Sequence, residues 1–227
     1  MKKKQAIGLG VFTAIVLAVG ISLYSSNKQQ QHANTETITK MQARNNNVWN
    51  RHMIDSCTRL LQTGDLVVRT GIEVTSYILS QMNLYNKTYS HCGLVVVEDG
   101  KPWVYHSIGG EDNPDAVLRR DPAGFFFSPQ NNFGFGIARY NMADTTIGKL
   151  VTIVKEYYKE KIKFDLDFDL KTDDRLYCAE FVYKAVLRAT GDSSYIKPVN
   201  AFGNSYVGVD NLFINDHAQM ICEVKFK

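Results

Sequence analysis

Cys178 and two histidines hold most of the reactive chemistry in this sequence. Cys178 stands in Asp173-Asp174-Arg175-Leu176-Tyr177-Cys178-Ala179-Glu180-Phe181-Val182, where a polar loop turns into a helical pattern. A thiol at a helix N-terminus faces unpaired backbone N–H groups and the positive end of the helix dipole. Both favour the thiolate, which is the nucleophilic form. The same amides can stabilise an oxyanion. The competing reading is a small buried hydrophobe on an apolar helix face, a common fate of cysteine.

The histidines bear on that choice. His91 opens one β-branched run and His106 lies at the end of the next, with the hairpin signal Asp99-Gly100 midway between them. Residues that face each other across a hairpin keep a constant index sum. The two imidazoles are therefore expected as neighbours on one face of a sheet. A thiol, an imidazole and a third polar group that orients the imidazole make an activated nucleophile. Cys178, His91 and His106 could instead bind zinc. No C-x-x-C pair or other zinc-motif spacing accompanies them, so no metal and no cofactor is expected.

These residues need a scaffold. Thr63-Gly64-Asp65 reads as a turn before a strand at Leu66–Arg69, and Ser76–Leu84 as a helix. Ser90–Glu98 and Pro102–Ile108 form the hairpin, and Gly136–Tyr140 is a third strand. Residues 109–135 look irregular, with Phe125-Phe126-Phe127 as an apolar substrate wall, a lid or plain loop packing. Thr145–Lys161 is an amphipathic helix, Cys178–Thr190 a second one capped by Gly191, and Met220–Phe226 a last strand. Thr39–Leu61 is a ragged helical candidate. Strands first, then interleaved helices and a terminal strand, suit an α+β layer.

The 227 residues have room for one domain plus an extension. Hydrophobic residues make up 44% and charged residues 22%, which excludes a wholly disordered chain, a collagen or a coiled coil. The net charge of +3 comes from Lys2, Lys3, Lys4 and Lys28 in a segment without acids, which leaves 3 − 4 = −1 for the rest. A near-neutral body has no electrostatic footprint for nucleic acid.

Three lysines precede an uncharged run of 19 residues, Ala6 to Tyr24. A secretory h-region spans about 7–15 residues and a membrane span about 17–25. The run reads as a signal anchor, with a cleaved signal peptide or a buried domain helix as alternatives. The lysines put the N-terminus in the cytoplasm and the body outside it. The division expected is 1–26 as leader, 27–59 as polar linker and possible helix, and 60–227 as the domain. Four cysteines are too few for a disulfide scaffold, though Cys57 and Cys222 could pair outside the cytoplasm.

Five motifs occur in order: Gly64-Asp65-Leu66-Val67, Tyr89-Ser90-His91-Cys92-Gly93-Leu94-Val95, Val104-Tyr105-His106-Ser107, Phe164-Asp165 with Phe168-Asp169, and Leu176-Tyr177-Cys178-Ala179-Glu180-Phe181-Val182. Together they resemble the YiiX/YebB-like branch of the NlpC-type, circularly permuted papain-fold cysteine hydrolases, from about Leu60 to Thr190. The resemblance implies an α+β fold with an antiparallel sheet packed by helices.

It also implies roles. Cys178 matches the nucleophile, His91 the general base, and His106 the third polar position that holds His91 in one tautomer. Tyr89, Ser90 and Tyr177 would line the substrate pocket, with ordinary core packing as the alternative for the tyrosines. Asp65 and Glu180 fit turn and cap hydrogen bonds. Cys92 follows His91 on a strand, so it points to the other face and reads as packing. The implied activity is cleavage of an amide, with a cell-envelope peptide as substrate, by an enzyme anchored in the inner membrane or secreted. A thioesterase or acyltransferase acting on lipid, and a non-catalytic binding module, are the competing functions. Oligomeric state is not legible.

Overall fold

The computed structural model describes residues 25, 28, 35–109, 113, 115–201 and 204–227. The expected membrane run at residues 6–24 lies outside them. Among the described residues no helix is long and apolar enough to cross a membrane. The chain divides into two compact units, Met1–Ala43 and Arg44–Lys227. In the first, residues 35–43 are helical. The second is the body, and it holds every candidate residue.

The body is built from helices α1 (Val48–Thr58), α2 (Val74–Gln81), α3 (Ala123–Phe126), α4 (Asp144–Lys159) and α5 (Cys178–Thr190). Its strands are β1 (Leu66–Gly71), β2 (His91–Glu98), β3 (Lys101–His106), β4 (Arg119–Pro122), β5 (Asn132–Tyr140), β6 (Val199–Ala201), β7 (Asn204–Tyr206) and β8 (Ala218–Lys225). Six strands form one sheet in the order β4-β3-β2-β1-β5-β8, all neighbours antiparallel. β6 and β7 make a separate hairpin. The architecture is α+β, as expected.

The two-residue period of the strands sorts the core into two layers. Leu66, Val68, Cys92, Leu94 and Tyr105 face α5 and α4, which contribute Phe181, Ala185 and Val154. Val67, Val95 and Val104 face the other way, onto Ile54 of α1 and Phe126 of α3. The sheet is thus covered on both sides, which explains the unbroken apolar run Leu94–Val97 in β2. Asp99 (φ 49°) and Gly100 (φ 73°) both take the left-handed conformation that a two-residue hairpin requires. Gly191 caps α5 at φ 69°.

Three expectations change. The helix sought over 39–61 is interrupted at Asn47, whose side chain accepts hydrogen bonds from the Trp49 and Asn50 amides and starts α1 afresh. α1 buries Asn50, Ile54 and Cys57, so the body begins at Arg44 and not at residue 60. The stretch 109–135 is not all loop: it supplies β4 and α3. Phe126 and Phe127 are core residues and only Phe125 is exposed, so the triplet is packing and forms no open apolar wall.

Cys57 of α1 and Cys222 of β8 form a disulfide across 165 residues. Closing a loop of that length restricts the unfolded chain strongly. Cys57→Ser with Cys222→Ser is expected to lower stability by about 2–5 kcal/mol, read as a shift in the urea midpoint at unchanged slope.

Candidate active site

The site forms at one end of the sheet, where β2 begins, β3 ends and α5 begins. Ser107, the residue after β3, donates its hydroxyl to the Leu176 carbonyl at 2.6 Å, which pins the approach to α5 against the strand end. Glu180, fully buried, accepts the Tyr177 amide at 3.1 Å and so caps the helix. Burial raises the Glu180 carboxyl to about 7, against the pull of Lys184.

His91 and His106 meet as predicted, but by a different register. The hairpin pairs Glu98 with Lys101 and Leu94 with Tyr105, an index sum of 98 + 101 = 199. The two histidines sum to 91 + 106 = 197, so they are diagonal neighbours and not direct partners. Their rings lie 5.0 Å apart, with His91 Nε2 2.9 Å from His106 Nδ1. A side chain at Gly93 would come within 2.9 Å of His106 Cβ and 2.7 Å of the Tyr105 carbonyl oxygen. Glycine there makes room for the imidazole. His106 Nε2 in turn lies 3.0 Å from Asp121 Oδ2 in β4, and Asp121 also pairs with Arg119 at 2.9 Å.

This chain has a polarity. Asp121 accepts from His106 Nε2–H, so His106 Nδ1 is the acceptor for His91 Nε2–H. His91 Nδ1 is then the ring nitrogen left with a free lone pair. Burial opposes the ionised form of Asp121, but His106 and Arg119 together hold its carboxyl below the usual carboxylate value. Burial pushes His91 well below the usual imidazole value, aided by Arg69, His106 and Arg119. Burial also lowers His106, although Asp121 acts the other way.

Those shifts predict acid sensitivity. Unfolded imidazoles titrate near ~6.5, and above that pH both states are neutral. Below it the unfolded chain takes up protons that the folded one resists. Stability is therefore full above about 6.5 and is lost as pH falls from there through the depressed folded values. Melting temperature should drop between about pH 7 and about pH 5, and His91→Gln should flatten that drop. An unchanged slope in the variant would remove His91 as its source.

Cys178 heads α5 and is buried. The Cys92 thiol is the main cause that pulls the Cys178 thiol below its usual value. Burial works against it, and the backbone amides of Ala179, Cys92 and Cys178 add to the pull. Cys92 itself is pushed well up by burial and by Cys178. Strand alternation holds as expected, with a consequence the sequence did not reveal. Cys92 shares the α5 face with Cys178, whereas His91 and His106 pack on Phe126 on the opposite face. The peptide that joins His91 to Cys92 presents its N–H to Cys178, which places the Cys178 thiol beside the start of β2. Cys92 is therefore a partner of the Cys178 thiol as well as a packing residue.

The remaining candidates make hydrogen bonds within the fold. Tyr89 is buried against Phe213 and donates its hydroxyl to Glu223 at 2.8 Å. Ser90 Oγ accepts the Gly71 amide at 3.0 Å, and Tyr177 Oη accepts the Val207 amide at 2.8 Å. Each of the three is buried, with its polar atom engaged. Asp65 forks onto Arg139 at 2.8 and 2.9 Å and accepts the Gln62 amide, so it braces a turn. Glu98 lies at the far end of the hairpin with Tyr105, Arg120 and Lys155, away from the histidines. Asp121 was missed, since nothing in Arg119-Arg120-Asp121-Pro122 marks a strand. Among the described residues no group of three or more His, Cys, Asp or Glu side chains is placed to hold a metal ion.

No protein-family model and no curated protein matches the sequence. A solved structure does match: metalloprotein YiiX from Escherichia coli O157:H7, with a TM-score of 0.58 at 18% identity over 72% of this chain and 98% of that one. The two chains share a fold. The match spans nearly the whole of that protein and most of this one.

Proposed function

We propose that this chain is an extracytoplasmic cysteine hydrolase of the permuted papain-like, NlpC-type fold, cleaving an amide in a peptide substrate of the cell envelope. One observation carries the reading: a thiol with a lowered pKa heads α5 at the sheet end where the oriented chain His91–His106–Asp121 begins. His91 takes the Cys178 proton at Nδ1, and the thiolate attacks the carbonyl carbon. The amides at the start of α5 stabilise the oxyanion. The C–N bond breaks as His91 gives its proton to the leaving amine, which leaves a thioester on Cys178. Water, deprotonated by His91, then releases the acid and restores the thiol.

The Cys57–Cys222 disulfide supports an oxidising compartment, and the run at 6–24 supports a membrane anchor or export. YiiX is described as a metalloprotein. Here His91, His106 and Asp121 direct their nitrogens and oxygens at one another, and Cys178 turns to Cys92, so this donor set does not converge on a metal. A lipid-directed acyl transfer has one supporting observation. Val74, Tyr77, Ile78, Leu84 and Tyr85 are all exposed on the connection from β1 to β2, at the site end of the sheet.

Alkylation of the full chain by iodoacetamide as a function of pH tests the proposal. Cys178 should label with a midpoint below the ordinary thiol value of about 8.5, and His91→Ala should alter the profile. Labelling no faster than a free thiol would count against a hydrolase. Turnover of acyl-lipids without turnover of peptides would select the lipid reading.

A further inference from the structure

Arg69 of β1 stands directly across from His91 in the sheet. Its guanidinium lies 4.9 Å from the centre of the Phe126 ring, on the face that holds both histidines. Arg69 Nε is buried and has no hydrogen-bond acceptor. Among the described residues no carboxylate lies within ion-pairing distance of this side chain. The nearby acids have other partners: Glu73 accepts the Ser76 hydroxyl, and Asp121 takes His106 and Arg119. Burial lowers the Arg69 pKa, but a guanidinium stays charged throughout the physiological range. Cys178 is within electrostatic reach of it. A buried guanidinium N–H with an unmade hydrogen bond is costly, and a ligand that supplies the missing acceptor removes that cost.

We propose that Arg69 is the anion-recognition residue of the site, binding a free carboxylate that the substrate carries close to its scissile carbonyl. The guanidinium fork matches a carboxylate through two parallel N–H···O bonds, and Phe126 behind it holds the plane. The site then selects acidic peptides or acyl groups over neutral ones. This assignment rests on Cys178 as the nucleophile.

The test compares two alkylating agents on the full chain: iodoacetate, which carries a carboxylate, and iodoacetamide, its neutral counterpart. Relative to iodoacetamide, iodoacetate should label Cys178 about tenfold faster in the wild type than in Arg69→Gln, and Arg69→Lys should keep most of that preference. In the wild type, acetate should also protect Cys178 from iodoacetamide, a readout that needs no variant to fold. An identical ratio in Arg69→Gln, or no protection by acetate, overturns the assignment. Slow labelling by both reagents overturns the nucleophile reading instead, so the two failures are distinct.

Discussion

Cys178→Ala should abolish hydrolysis while leaving the fold in place. The expected fall in kcat is about 10⁴-fold or more, because removal of a covalent nucleophile leaves only binding and the oxyanion site. The substitution removes one sulfur from a position 8% exposed and adds no volume. The cap made by Glu180 on the Tyr177 amide does not involve the thiol, so α5 still starts at residue 178. Circular dichroism and the urea midpoint should therefore stay near wild type. Residual turnover within about tenfold of wild type would remove Cys178 from the chemistry. Retained binding of a peptide by both forms, with no turnover by either, would establish a binding module.

Asp121→Asn should cost about 10²–10⁴-fold in kcat with little change in KM. The reason is tautomeric. With Asp121 as acceptor, protons sit on His106 Nε2 and His91 Nε2, and His91 Nδ1 keeps the free lone pair. An amide at 121 can donate to His106 Nε2. Both imidazoles then reverse, Nδ1 of His91 carries the proton, and the base is lost. Arg119 would lose its ion-pair partner as well. His106→Gln should be milder, because its carbonyl can still accept from His91. If the two variants lose equal activity through raised KM alone, the chain positions substrate and not protons.

Which parts of this could be read from the chain alone follows from the range of the interactions concerned. The boundaries of α5, the Asp99-Gly100 hairpin and the apolar strand after His91 rest on local patterns, and they appear where expected. Cys178 alone of the four cysteines begins a helix, a local feature, but it was the resemblance of the five motifs that singled it out as the nucleophile. The His91–His106 pairing came from a hairpin sum that was off by two. A shift of two preserves the face, so the neighbours survived the wrong register, whereas a shift of one would have separated them.

Tertiary structure decided the rest. Asp121 reaches His106 because β4 pairs with β3 at the sheet edge, and a four-residue strand between loops has too little periodicity to show itself. Arg69 sits opposite His91 because β1 pairs with β2 across the α2 excursion, a contact that no motif announces. Cys92 points away from His91, and only the packing of α5 on that other face makes it a partner of Cys178. Alternation assigns two faces, but it is the packing of α5 on one and of α1 and α3 on the other that names them. That packing joins residues dozens of positions apart. It depends on summed burial across the sheet, which local sequence does not encode.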